Sequence, residues 1–181
     1  NLKIDHNNSN ANAASLVASL YGIREEIIKN AIGNFKGTQR RQEIIFQNKH
    51  LTIIDDYAHH PTEITSTLKG IQNMYPNQKI TLIYQPHQIS RTKSLMQEFK
   101  NSLQLADRVI IPNIYKARDE KNMDDSQLCI DLCEGIGNKA TYSQGLLNTK
   151  ENFEKLIQKT TLLVIMGAGD VLKCLPDQYT S

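Results

Sequence analysis

Cysteine is scarce in this chain. Three are present in 181 residues, and none sits in a CxxC pair. That pattern excludes a disulfide framework and the usual zinc-ribbon spacing. Cys129 and Cys133 fall four apart on one predicted helix face and read as buried, reduced thiols. No long apolar run exists either. The longest, Leu162 to Met166, is far short of the ~20 residues that cross a bilayer. No basic start, apolar centre and small-residue cleavage site mark a secretory signal. Neither sign of charge dominates: 21 Lys and Arg face 19 acidic residues, which gives no ground for a nucleic-acid or membrane partner. A cytoplasmic location is the expectation. No internal repeat and no low-complexity linker interrupts the pattern. The chain opens at Asn1 inside a helix-leading motif, and the expectation is a piece of a longer protein.

What is present is an ordinary globular balance, with 39% hydrophobic and 22% charged residues, enough for one well-buried domain and a short piece of another. Residues 10–21 carry Ala13, Ala14, Leu16, Val17 and Leu20 at helical spacing and stop at Gly22. Ile23, Ile27, Ile28, Ala31 and Ile32 form a second stripe, broken at Gly33 and Asn34. Phe35 to Arg41 is a short basic linker, so the predicted division is 1–34 and 35–181.

From there strand-like and helix-like stretches alternate. Residues 42–47 and 51–54 predict a hairpin turned at Asn48-Lys49. A helix follows over 61–75, with Pro61 at its first position. Strands are predicted over 79–84, 108–111, 141–142 and 161–166, and helices over 90–105, 126–136 and 149–158. Alternation with apolar central strands implies an α/β, Rossmann-like fold, a mostly parallel sheet with helices on both faces.

In such sheets ligands bind beyond the carboxyl ends of the strands. The polar clusters fall there: Asp55-Asp56-Tyr57-Ala58-His59-His60-Pro61, Gln85-Pro86-His87-Gln88-Ile89-Ser90-Arg91-Thr92, residues 113–119 from Asn113, and Gly167-Ala168-Gly169-Asp170. Each has a plainer reading. Asp55 and Asp56 could cap the helix at Pro61. His59, His60 and His87 could ligate zinc, but adjacent histidines seldom reach one ion and the spacing fits no zinc pattern, so no metal site is expected. Arg91 near a helix start opposes the dipole, which points to an anionic ligand held in its fork. Gly167-Ala168-Gly169 lacks the third glycine of a dinucleotide fingerprint, since Leu172 stands there. It reads as a tight turn.

The Asp55–Glu63 segment resembles the opening of the C-terminal domain in the Mur ligase family, in the branch that adds L-alanine to UDP-N-acetylmuramate. Gln85-Pro86-His87 with Ser90-Arg91-Thr92 resembles the next loop of those enzymes. His6-Asn7, Asn10-Ala11 and Ala13-Ala14 resemble the end of their central ATP-binding domain. Phe35 to Arg41 is similar to the interdomain FxGxxRR linker, and Met166 to Asp170 to the closing GAG turn. Two departures stand out: Ile4-Asp5 precede the His-Asn pair where glycine is frequent, and Gln88 replaces an arginine found in some members. A related branch attaches recycled murein tripeptide and shares the histidine motif, but usually lacks the QPH and SRT pattern. A stand-alone nucleotide-binding module is a further alternative.

The resemblance implies an ATP-dependent ligase. A carboxylate is phosphorylated, the amine attacks the acyl phosphate, and phosphate leaves. It implies ATP, magnesium, UDP-N-acetylmuramate and L-alanine as partners, with ATP and magnesium held mainly by a central domain. No G-x-x-x-x-G-K-[ST] loop occurs here, so the chain alone is expected to be inactive. By resemblance, Asn7, Asn10, Arg41 and Asp56 bind nucleotide. Tyr57, His59, His87 and Arg91 line the amino-acid pocket, and His59 or His87 accepts a proton from the attacking amine.

Overall fold

A computed structural model describes residues 5–35, 37–116 and 122–179, with side chains given from residue 9 onward. The chain forms two compact units, 1–39 and 40–181. The first holds α1 (Asp5–Leu20) and α2 (Glu25–Asn34). Gly22, at φ 77°, ends α1: its N–H donates to Ser19 O and that of Ile23 to Ala18 O. These are the paired bonds of a Schellman stop, which needs a left-handed residue between them. Glu25 and Glu26 sit in the first turn of α2, where their negative charge complements the helix dipole. The apolar stripe is largely exposed. Ile28 is buried, whereas Ile23 and Ile27 remain 45% and 49% exposed.

The second unit is built on six strands: β1 (Glu43–Gln47), β2 (Thr52–Asp56), β3 (Ile80–Tyr84), β4 (Arg108–Ile111), β5 (Ala140–Tyr142) and β6 (Leu162–Met166). Their order is β1-β2-β6-β3-β4-β5. Only β1 runs antiparallel, and the α/β expectation is met. The β1–β2 hairpin closes on Asn48, whose side-chain oxygen accepts the N–H groups of His50 and Leu51 at 2.8 Å each. The central strands β3 and β6 are buried on both faces and are apolar throughout except for Thr81.

Alternate residues feed two cores. Ile54, Leu82, Val109 and Val164 meet α3 (Pro61–Met74), α5 (Met96–Leu103) and α6 (Ser126–Ile136) through Leu68, Phe99 and Leu132. Ile53, Ile83, Ile110 and Ile165 meet Phe153 of α8 (Phe153–Leu156) and the 3-10 turn Val171–Cys174 on the other. All three cysteines are free and buried. Burial pushes the Cys133 thiol up to about 11 and that of Cys174 to about 12, so both are inert at neutral pH.

Two predicted helices are each broken. The stretch 90–105 is α4 (Ile89–Ser94) and α5, interrupted at Leu95. Thr92 and Ser94 turn their hydroxyls back onto the carbonyls of Gln88 and Arg91, competing with the helix ladder. The stretch 149–158 starts earlier, as α7 (Leu146–Glu151), and breaks at Asn152, whose amide donates to Asn148 O.

Candidate functional site

The carboxyl ends of β2, β6, β3 and β4 deliver their loops to one edge of the sheet. The turn after β6 sets the geometry. Gly167 has φ 147°, and a Cβ there would lie 2.7 Å from the Gln85 carbonyl oxygen. A Cβ on Gly169 would strike the Tyr115 ring and lie 2.7 Å from Gln85 Oε1. Both glycines therefore let neighbouring loops close onto the turn.

Arg40 locks that turn from the other side. Its Nε donates to Asp55 Oδ2 at 2.9 Å, Nη2 to Gly167 O at 2.6 Å and Nη1 to Gly169 O at 3.1 Å. Burial raises the Asp55 pKa despite the opposing pull of Arg40. Asp56 is 2% exposed, and its pKa too is raised by burial. Its oxygens accept the N–H groups of Ala58 (2.8 Å) and Gln42 (3.0 Å) and the Thr67 hydroxyl (3.3 Å). Neither aspartate caps α3. His60 and Glu63 form the capping box instead, because Asp55 and Asp56 still belong to β2.

Along the edge runs a series of rings. The Tyr57 and His59 centroids are 5.6 Å apart and those of His59 and His87 5.7 Å, both edge-on. His87 stacks on Tyr115 at 5.3 Å and 18°. Arg40 and Arg41 place their Cζ atoms 5.2 and 5.7 Å from the Tyr57 centroid, within cation–π range. His59 Nδ1 lies 3.2 Å from Tyr57 O and 3.4 Å from Glu63 Oε2. Both neighbours are acceptors, which assigns the proton to Nδ1 and leaves Nε2 as the basic nitrogen. Burial raises the Glu63 pKa, but the N–H groups of His59 and His60 and the nearby His59 and Arg41 charges outweigh it, leaving the value lowered.

The structure thus brings Tyr57, His59 and His87 into one series. Arg91 sits in α4, four residues beyond His87, and its Nη1 is buried with no hydrogen-bond partner. Asp55 Oδ1, Tyr84 Oη and Gln85 Oε1 share that condition on the same strand ends. Native proteins satisfy most buried polar atoms, so such a cluster marks a place shaped for something besides stability. Arg41 is exposed beside Tyr57. Asn10 is exposed on α1 in the other unit. There it lines a cleft of about 450 Å³ with Ala14, Ala31 and Phe35. The side chain of Asn7, and Ala117, Arg118 and Asp119 of the fourth cluster, lie outside the described residues. Among the described residues, no three His, Cys, Asp or Glu side chains gather as a metal site.

Sequence reasoning missed Arg40 and Tyr115 as site-forming residues. Tyr115 donates its N–H to Pro86 O and accepts from Gln88 N–H, each at 2.8 Å, which extends the β3–β4 pairing past the sheet. Its membership of the fourth polar cluster was the available signal. For Arg40 the available signal was its place in the FxGxxRR-like linker, which does not show where its side chain goes.

The mostly parallel sheet with these four loops on one edge defines an α/β domain of the class that binds ligands beyond the carboxyl ends of its strands. The family model described as Mur ligase, glutamate ligase domain, matches residues 40–171, and the chain belongs to the Mur ligase family. Within it, the chain is 38% identical over 170 residues to the UDP-N-acetylmuramate–L-alanine ligase of Desulfitobacterium hafniense, covering 93% of this chain and 38% of the relative. The corresponding ligase of Caldicellulosiruptor bescii is 40% identical over 173 residues, 94% of this chain and 37% of the relative. The crystal structure of the UDP-N-acetylmuramate–alanine ligase from Thermotoga maritima superposes with a TM-score of 0.74 at 29% identity, covering 94% of this chain and 36% of that one. The chain therefore spans a little over a third of the length of these relatives.

Removing Arg40 should leave Asp55 buried without its partner. Arg40→Gln is expected to cost about 3 kcal/mol at pH 7, the low end for breaking one side of a buried pair. The folded-state pKa of Asp55 is already raised and would rise further. A raised carboxyl favours the folded state while protonated, and the penalty grows as pH climbs through the folded value. The deficit in urea unfolding should therefore shrink from pH 7 to pH 4. A deficit that is constant or larger at pH 4 would show that Asp55 charge is not its origin.

Proposed function

We propose that this chain is the C-terminal part of a cytoplasmic ATP-dependent ligase that joins L-alanine to UDP-N-acetylmuramate in peptidoglycan precursor synthesis. In this reading, residues 1–34 are the helical end of the ATP-binding domain and 35–181 the amino-acid-binding domain. The observation that carries it is the edge-on ring series Tyr57–His59–His87, formed by the residues that match the family's amino-acid loops. The relatives' shared activity supports the same assignment.

The reaction has two stages. ATP transfers its γ-phosphoryl group to the lactyl carboxylate of UDP-N-acetylmuramate, giving an acyl phosphate and ADP. The amine of L-alanine attacks the acyl carbon, loses a proton, and inorganic phosphate leaves from the tetrahedral intermediate. The first stage needs charge neutralisation on phosphoryl oxygens. Magnesium would supply that; among the described residues no three His, Cys, Asp or Glu side chains gather to hold it. The chain also lacks a P-loop, and by itself it releases no phosphate.

The second stage is positioning. Arg91 receives the amino-acid carboxylate in its fork, which satisfies its buried Nη1. His59, with Nδ1 engaged by Tyr57 O and Glu63, presents Nε2 to the ammonium as base; His87 is the second candidate. Arg41 and Asp56 are assigned to the nucleotide. The Asp56 oxygens already accept the N–H groups of Gln42 and Ala58 and the Thr67 hydroxyl, so its part is to fix the backbone beside Arg41. Asn7 and Asn10 are assigned to nucleotide by resemblance alone.

The longer protein should release phosphate from ATP with UDP-N-acetylmuramate when L-alanine is added. Arg91→Ala should raise KM for L-alanine roughly 10- to 100-fold, the equivalent of one charge-assisted interaction. Release driven only by murein tripeptide would transfer the protein to the recycling branch, and no release with either amine would leave only the fold. A pH–rate profile unchanged in both His59→Ala and His87→Ala would remove the base assignment.

A further inference from the structure

Asp125 stands at the N-cap position of α6, yet its carboxylate caps none of the helix's backbone N–H groups; from α6 its Oδ2 accepts the Cys129 thiol at 3.7 Å. N-cap aspartates ordinarily accept the N–H of the second or third helical residue. Here the preceding Asp124 takes the Ser126 N–H at 3.0 Å. Asp125, 6% exposed, turns to the loop after β4. Its Oδ2 accepts the Ile114 N–H at 2.6 Å, and its Oδ1 pairs with Lys116 Nζ at 2.8 Å. These two residues flank Tyr115. One buried carboxylate thus grips the chain on both sides of the ring that stacks on His87 and covers Gly169.

We infer that Asp125 is a positioning residue for the amine substrate, acting through Tyr115. This rests on the reading of the ring series as the wall of the amine pocket. Tyr115 gains no fixity from core packing, being 38% exposed. Its place is set by backbone bonds to Pro86 and Gln88 on one side and by the Asp125 grip on the other. A ring held so loosely by packing shifts when either set is lost, and His87 shifts with it. Lys116 contributes by fixing the carboxylate's second oxygen. It is partly exposed, so removing it releases the loop without leaving a buried ammonium.

The test uses the longer, active protein with whichever amine, L-alanine or murein tripeptide, supports its turnover. Asp125→Ala and Lys116→Gln should each raise KM for that amine, with KM for ATP unchanged. The rise should be about tenfold for Asp125→Ala, below the ~100-fold that a 1 Å misplacement causes, and smaller for Lys116→Gln. Asp125→Asn, which keeps an acceptor for Ile114 N–H, should recover part of the loss. Tyr115→Ala should raise the same KM, and Asp125→Ala added to it should do nothing more, because both act through one ring. Hydrogen exchange at the Tyr115 and Gln88 amides should quicken in Asp125→Ala and Lys116→Gln. Additive KM effects, equal loss for all substrates, or unchanged exchange at those amides would overturn the inference. Turnover with tripeptide alone would fail the L-alanine reading while leaving this test intact.

Discussion

The Arg40 guanidinium neutralises the buried Asp55 and at the same time accounts for two carbonyls of the Gly167–Gly169 turn. Gly167 is buried, and a buried carbonyl left without a donor is costly. The same residue's carbonyl accepts Tyr57 N–H at 2.7 Å, and two residues on, Gln42 N–H meets Asp56. Residues 40–42 are thereby stitched to the loop after β2, which sets where Tyr57 begins the ring series. Arg40 and Gln42 both hold positive φ, 56° and 50°, a conformation that costs non-glycine residues on the order of 1 kcal/mol or more. The bonds at both ends of the segment keep it there.

The parallel sheet was legible because burial on both faces leaves an unmistakable mark. Leu162–Met166 is an unbroken apolar run and Ile80–Tyr84 is broken only by Thr81, and the polar residues that follow each run had to share an edge. The clusters around His59 and His87 could be found for that reason. Arg40 could not, because its partners lie 15, 127 and 129 residues away and nothing local distinguishes it from Arg41. The helix breaks at Leu95 and Asn152 were equally hidden. Both depend on hydroxyl or amide groups choosing a backbone carbonyl over solvent, a choice that periodicity does not register. The isoleucine stripe of α2 was read correctly as a pattern, but a stripe records what a helix can bury and not what covers it.

One carboxylate joins the stability of α3 to the chemistry at the site. Glu63 accepts the N–H groups of His59 and His60 at 3.0 and 3.2 Å, closing the cap of the helix, and it lies against His59 Nδ1. Its pKa is lowered in the folded chain, so its contribution to folding is present above the ordinary carboxylate value and fades as pH falls through the lowered one. The ionised Glu63 is an acceptor beside Nδ1, which in the neutral ring favours the tautomer with its proton on Nδ1 and its lone pair on Nε2. The helix start and the orientation of the basic nitrogen are therefore controlled by one titration.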